Sequence, residues 1–167
     1  MTENGVQLAV IGGGKCDERL GQLARETGAA IAQAGAVLLC GGRGGVMTAA
    51  AAGARSVGGR TIGILPGANS AETPPNKYIQ MPIFTGLGQA RNQVLVLSAA
   101  AVIGIGGGWG TLTEIGLALK HGLPVVLLNS WDLSRPDGQE EPLLHHADTA
   151  QEAVRLALDA ARCRGSK

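Results

Sequence analysis

The sequence predicts a doubly wound α/β fold, in which helices cover both faces of a mostly parallel sheet. Apolar runs of strand length recur along the chain, and segments with helical periodicity follow most of them. The runs are almost continuously apolar, which is typical of strands buried on both faces. Alternating strands and helices favour parallel pairing through helical crossovers. The 167 residues are predicted to form a single domain, with a core over about residues 6–128.

The first half of the chain contains three predicted strands. The apolar runs at residues 6–11 and 36–40 each end at a cluster of glycines, and helical patterns follow at about residues 17–33 and 46–56. The third run, at residues 61–65, ends at a Pro-Gly pair that leads into a polar loop. Because glycine and proline interrupt regular structure, they mark the ends of these strands.

The second half of the chain repeats this order. Further strands and helices are predicted at residues 78–84, 89–98, 101–105, 111–121 and 124–128, in the order strand, helix, strand, helix, strand. A polar, proline-containing stretch at residues 130–146 is expected to be a surface excursion, and a final helix is predicted at about residues 149–162.

Composition and charge exclude several classes of function. A net charge of +1 and an aromatic content of 2% provide neither a broad attraction for nucleic acids nor stacking platforms for them. The three cysteines form no CxxC motif, so neither a disulfide framework nor a metal site is expected. No apolar run approaches the roughly 20 residues of a membrane span. We therefore expect a cytoplasmic protein without nucleic-acid or membrane partners.

The most informative stretch is the loop at residues 106–110, GGGWG, between a predicted strand and a predicted helix. Glycines leave backbone N–H groups uncovered where a ligand must come close, and a helix N-terminus attracts anions. We therefore expect a phosphate ester to bind at Gly107, Gly108 and Gly110. Trp109, within the loop, is a candidate to lie against a planar ring.

Glu114, near the start of the following helix, allows two interpretations. Thr111 and Glu114 have the spacing of a capping box, in which the glutamate would only reach back to the cap residue. Alternatively, Glu114 is a carboxylate that acts on the bound ligand. The glycines favour the second interpretation, because a cap does not require them.

Other loops at the same edge of the sheet are expected to supply further ligand contacts. Arg43, in the sequence GGRGG, could pair with a phosphate or remain solvated in a tight turn. Arg91 lies at the predicted start of a helix, where a cation is unfavourable unless an anion compensates it; the alternative is a surface arginine. Asn69 could contact the ligand or belong only to a turn. The predicted ligand contacts are Gly13, Gly42, Arg43, Gly44, Gly45, Asn69, Arg91, Gly107, Gly108, Trp109, Gly110 and Thr111.

Motifs of the common nucleotide-dependent enzymes are missing from the sequence. The first glycine loop reads GGGKCD at residues 12–17, so the GxGxxG fingerprint lacks its third glycine, and no acidic residue follows the second strand. NAD is therefore not expected. The chain also lacks a P-loop motif and the GxSxG motif of α/β-hydrolases.

Together these motifs resemble those of the LOG (Lonely Guy) superfamily. Residues 106–114, GGGWGTLTE, are similar to its PGGxGTxxE signature, and the resemblance extends over about residues 6–128. One branch consists of phosphoribohydrolases that cleave the N-glycosidic bond of nucleoside 5′-monophosphates. For that branch the resemblance implies catalytic roles for Arg91 and Glu114. Nothing in the chain resembles a lysine site for PLP.

The other branch consists of carrier proteins that bind the molybdenum cofactor, a phosphorylated pterin. Gly106 replaces the proline of the enzymes' signature, and residues 91–93, RNQ, replace their arginine-lysine run. Residues 85–92, TGLGQARN, look closer to the carriers. The resemblance therefore implies a carrier of this cofactor, with a phosphoribohydrolase as the alternative. It also implies a homo-oligomer, either a dimer or a tetramer, with molybdoenzymes as recipients.

Overall fold

Seven strands form one parallel sheet in the computed structural model, which describes residues 5–165. The strands are β1 (Gln7–Gly12), β2 (Val37–Cys40), β3 (Thr61–Leu65), β4 (Met81–Phe84), β5 (Ala101–Ile105), β6 (Val125–Leu128) and β7 (Leu144–Ala147). The helices are α1 (Glu18–Gln33), α2 (Val46–Ser56), α3 (Arg91–Leu97), α4 (Trp109–Lys120) and α5 (Ala150–Gly165). No helix within residues 5–165 is long and apolar enough to cross a membrane.

The order of the strands creates one switch point in the sheet. The strands lie in the order β4-β3-β2-β1-β5-β6-β7, so the chain builds outward from β1 to β4 and then returns to β5 on the other side of β1. Gly12 pairs with Ile105, so the carboxyl ends of β1 and β5 are level with each other. Ligands of doubly wound sheets bind beyond the strand ends at such a point.

Two apolar layers enclose the sheet. Helices α1, α2 and α5 pack on one face, and helices α3 and α4 pack on the other. Residues of the central strands β1, β2, β5 and β6 are buried almost without exception. This burial on both faces explains why these strands are continuously apolar in sequence.

Helices α1 and α2 touch backbone to backbone. Gly28 of α1 lies against the carbonyl of Ala50, and Gly53 of α2 lies against the carbonyl of Arg25. A Cβ atom on either glycine would overlap the carbonyl oxygen opposite. Two mid-helix glycines, which reduce intrinsic helix stability, are therefore required by the close approach of the helices.

The predicted fold class is confirmed, but several elements differ from their predicted positions. The stretch at residues 130–146 was expected to be only a surface excursion, yet it leads into β7, whose sequence LHHA is not apolar because an edge strand is only partly buried. At the opposite edge, β4 begins at Met81 rather than near residue 78. The helix predicted at residues 89–98 is divided into one 3₁₀ turn (Gly88–Ala90) and α3.

Candidate functional site

A cavity of about 620 Å³ opens at the switch point of the sheet. Its walls come from the loops after β1 and β2 and from the N-terminal turns of α3 and α4, while Ile11 contributes to its floor. The segments that were singled out in the sequence as glycine loops thus converge on one space. A cavity beyond the strand ends at the switch point is the usual place of a small-molecule site in such folds.

The loops after β1 and β2 pack directly against each other. The N–H of Val46 donates a hydrogen bond of 3.1 Å to the carbonyl of Gly13. Gly45 has a φ of +61°, and a Cβ atom on it would overlap the same carbonyl. Glycine is therefore required at this position both for the backbone conformation and for the close contact between the two loops.

Arg91 presents an unpaired cation to the cavity. It is the first residue of α3, and its guanidinium is largely buried. Burial lowers the pKa of Arg91, and the nearby Glu114 opposes part of this effect. The Nη1 atom is buried and has no hydrogen-bond partner. Because unpaired buried donors are costly, this atom is available to an acceptor in the cavity.

Glu114 faces the same cavity from α4. It is 7% exposed, and burial raises the pKa of its carboxyl to about 7, although the positive charge of Arg91 opposes this shift. Both residues lie within the described chain, yet no ion pair within 4 Å joins them. The guanidinium and the carboxyl are therefore more than 4 Å apart.

The capping-box interpretation of Glu114 is wrong. Helix α4 begins at Trp109, and its N-cap is Gly108, which makes no side-chain capping bond. Thr111 is already inside the first turn, where it is buried against Gly107. A helix that starts two residues earlier than predicted places Glu114 in its second turn, out of reach of the cap.

The structure brings most of the predicted contacts to the cavity. Those that line it are Gly13, Arg43, Gly44, Arg91, Gly108, Gly110, Thr111 and Glu114. Those that lie outside its lining are Gly42, Gly45, Asn69, Gly107 and Trp109. The three glycines of the second group all have a positive φ, so they shape the loops instead of forming the wall.

Asn69 and Trp109 lie outside the cavity for different reasons. The Oδ1 of Asn69 accepts hydrogen bonds of 3.0 and 3.1 Å from the N–H groups of Ala71 and Glu72, as in the turn that was its alternative interpretation. Trp109 is 77% exposed and packs against Trp131, with 5.4 Å between the ring centroids. Its side chain therefore contacts another indole in the structure.

Three further polar residues line the cavity and were not among the predicted contacts. They are Lys15, Gln89 and Asn92. Lys15 directly follows the first glycine loop, and Asn92 adjoins Arg91, so proximity to the motifs could have indicated both. The Oδ1 of Asn92 is buried without a hydrogen-bond partner, so it is available to a donor in the cavity.

The cavity is electropositive. Lys15, Arg43 and Arg91 line it, and among residues 5–165 Glu114 is its only acidic lining residue. Burial raises the pKa of Glu114 to about 7, which weakens the negative charge that this carboxyl adds to the cavity. A cavity lined by three cationic side chains and glycine loops favours an anion such as a phosphomonoester.

Replacing Glu114 with glutamine is expected to remove a pH-dependent loss of stability. Folding raises the pKa of Glu114 from 4.5 to about 7, so its contribution is fully present below pH 4.5 and is lost as the pH rises through 7. The loss corresponds to about 3 kcal/mol. In urea denaturation, Glu114→Gln should therefore gain about this much over the wild type at pH 8.5 and little at pH 4. Glu140→Gln, in an exposed loop, is the control; an equal gain at both pH values would contradict the assignment.

Comparison with known proteins identifies the family. The SLOG cluster4 family is matched over residues 5–158. The chain belongs to the SLOG cluster4 family. The match includes all four segments that form the walls of the cavity.

Two solved structures share the fold of this SLOG cluster4 protein over nearly its whole length. The molybdenum cofactor binding protein from the phototrophic bacterium Rippkaea orientalis is 37% identical, with a TM-score of 0.79 and coverage of 95% of this chain and 98% of the other. The molybdenum cofactor carrier protein from Chlamydomonas reinhardtii is 35% identical, with a TM-score of 0.83 and coverage of 95% and 99%.

A protein named as an enzyme is also similar to this chain. The cytokinin riboside 5′-monophosphate phosphoribohydrolase of Mycobacterium tuberculosis is 33% identical over 117 residues, which cover 66% of this chain and 63% of the enzyme. The LOG-like family and the similarity to molybdenum cofactor carriers, both predicted from the motifs, are thus confirmed.

Proposed function

We propose that this SLOG cluster4 protein binds the molybdenum cofactor in the cavity at the switch point and carries it in the cell. The observation that carries the proposal is the buried, unpaired Nη1 of Arg91, which faces a cavity rich in positive charge. A phosphate is the anion that such a guanidinium and the surrounding backbone N–H groups bind best. The similarity to two molybdenum cofactor proteins supports a phosphorylated pterin as the ligand.

The residues of the cavity fit the two ends of such a ligand. Arg91 would bind the phosphate together with the backbone of the loops at Gly13 and Gly44. Asn92 would accept a hydrogen bond from an N–H of the pterin, because its buried Oδ1 has no partner in the protein. Within residues 5–165, no group of three or more His, Cys, Asp or Glu could hold a metal ion. The metal of the cofactor would therefore travel as part of the cargo.

Loading with the cofactor tests the carrier function. The purified protein is mixed with molybdenum cofactor released from a denatured molybdoenzyme and is passed over a sizing column. The pterin that elutes with the protein is then oxidised and quantified by fluorescence. We expect close to one pterin for each chain and an increase in the midpoint of thermal unfolding. Elution of all the pterin with the small molecules would contradict the proposal.

A phosphoribohydrolase is the second candidate, because Glu114 is a buried carboxyl with a raised pKa beside the expected phosphate site. The ionised form could stabilise the positive charge that develops on the ribose as the N-glycosidic bond breaks, or it could deprotonate the attacking water. Water would add to the anomeric carbon, and the base would leave with a proton. The similarity to the mycobacterial enzyme favours this candidate.

Chromatography of released base distinguishes the two candidate functions. The protein is incubated with a panel of nucleoside 5′-monophosphates that includes AMP and an N6-prenylated AMP, and free base is measured. A carrier would be stabilised against thermal unfolding by such ligands but would release no base. Base release that is lost in Glu114→Gln, with little change in KM, would instead establish the hydrolase.

We further propose that the outer face of α3 and α4 forms a homo-oligomer. Leu97 at the end of α3 is 51% exposed, and Leu87, which precedes the 3₁₀ turn before α3, is 52% exposed. Lys120 is the only charged residue of α3 and α4 apart from Arg91 and Glu114, which line the cavity. Exposed apolar surface without charges is typical of subunit interfaces. Leu97→Glu should therefore reduce the mass measured by light scattering to that of one chain. Val57→Glu, exposed beyond the end of α2, should leave the mass unchanged; a wild type with the mass of one chain would contradict the proposal.

A further inference from the structure

The guanidinium of Arg91 rests directly on the backbone of Gly41. A Cβ atom on Gly41 would overlap Nη1 of Arg91 and would lie 2.8 Å from both its Nη2 and the Sδ of Met47. Real Cβ atoms essentially never approach other heavy atoms this closely. Gly41 is not among the glycines with a positive φ, so its backbone conformation is open to other residues. Space for the guanidinium, and not backbone geometry, therefore requires glycine at this position.

The backbone on both sides of Gly41 is fixed. Cys40, before it, is fully buried, and its Sγ accepts a hydrogen bond of 3.3 Å from the N–H of Gly42. The carbonyl of Gly42 accepts a hydrogen bond of 2.8 Å from the N–H of Asn76. The guanidinium, in contrast, is the end of a flexible side chain whose Nη1 has no partner. A methyl group at position 41 would therefore move Arg91 and leave the backbone in place.

We propose that Gly41 is a positioning residue. Its missing side chain leaves the space in which the guanidinium of Arg91 lies when it binds the ligand phosphate. Its effect on binding rests on the proposed function, whereas its effect on the guanidinium does not. The space left free at Gly41 is occupied by the guanidinium, and Glu114, which lines the same cavity, lies beyond ion-pair distance of it. Because the colliding atoms belong to side chains that can move, Gly41→Ala should fold as the wild type does.

The Kd for AMP, measured in single and double variants, tests the positioning role of Gly41. We expect Gly41→Ala to raise the Kd for AMP about tenfold, because the guanidinium no longer meets the phosphate in the same geometry. In an Arg91→Ala background, the same change should alter the Kd less than about twofold, since residues that act through one another are not additive. Gly21→Ala is the matched control, because its Cβ would meet only the Sγ of Cys16 at an ordinary 3.7 Å.

The result that would overturn the proposal is an unchanged Kd in Gly41→Ala, or an equal loss with and without Arg91. The second outcome would mean that the methyl group blocks the ligand itself. If the wild type fails to bind AMP, the cavity does not bind this nucleotide. The side-chain NMR signal of Arg91 then tests by itself whether Gly41 positions the guanidinium. Its Nε–Hε resonance, assigned by its loss in Arg91→Ala, should move in Gly41→Ala and not in Gly21→Ala. A resonance that does not shift in Gly41→Ala would refute the positioning role of Gly41.

Discussion

Arg91→Ala should weaken the binding of phosphorylated ligands by about a hundredfold, an effect of about 2.7 kcal/mol. The guanidinium is buried at the start of α3 with Nη1 unpaired, so a ligand phosphate would make a charge-assisted hydrogen bond where water has little access. Arg43 is exposed at the mouth of the cavity, and Arg43→Ala should cost closer to tenfold and depend more on salt.

Isothermal titration with AMP and with the molybdenum cofactor measures the loss. Arg155→Ala removes an equal charge from the exposed surface of α5 and is the control for net charge. We expect it to leave the Kd within about twofold, because exposed charges beyond about 8 Å are screened at physiological salt. Equal losses in Arg91→Ala and Arg155→Ala would show that only the overall charge matters, against the site described above.

The second large effect is expected at the crossing of α1 and α2. Gly28→Ala and Gly53→Ala should each lower the free energy of unfolding by about 3 kcal/mol, because the new methyl groups would collide with backbone carbonyls that cannot rotate away. Both glycines are buried, so neither change alters the cavity directly.

Chemical denaturation measures this effect, with Gly21→Ala as the control in α1. Its Cβ has an ordinary contact, so the higher helix propensity of alanine should raise stability by up to about 1 kcal/mol. Stabilities of Gly28→Ala and Gly53→Ala within about 0.5 kcal/mol of the wild type would mean that the helices can move apart, and the close packing would not be essential.

The central strands were predictable from the sequence because burial on both faces leaves a strong signal. The runs at residues 61–65 and 101–105 coincide with β3 and β5. The two edge strands were not predictable to the same degree. Strand β7 carries His145 and His146, and most of β4 is exposed, so neither has the apolar pattern of a buried strand.

The sequence indicated the loops that meet at the cavity because backbone chemistry determines them, but it could not indicate the direction of individual side chains. Glycine clusters at strand ends indicated the loops, and Arg91 opposed the helix dipole, which pointed to an anion. Sequence spacing could not distinguish a capping glutamate from a cavity residue, because the start of α4 differs by two residues from its predicted position. Nor could it show that Gly41 lies beneath Arg91, 50 positions away in the sequence, since only the folded sheet brings them together.

The most direct test is the crystal structure of the protein purified with bound molybdenum cofactor from cells that synthesise it. We expect the phosphate to lie in the cavity between β1 and β5, within about 3 Å of Nη1 of Arg91. We also expect the guanidinium to rest on Gly41 as it does without the ligand. A cofactor bound elsewhere, or a phosphate that leaves Nη1 of Arg91 without a partner, would contradict the proposed site.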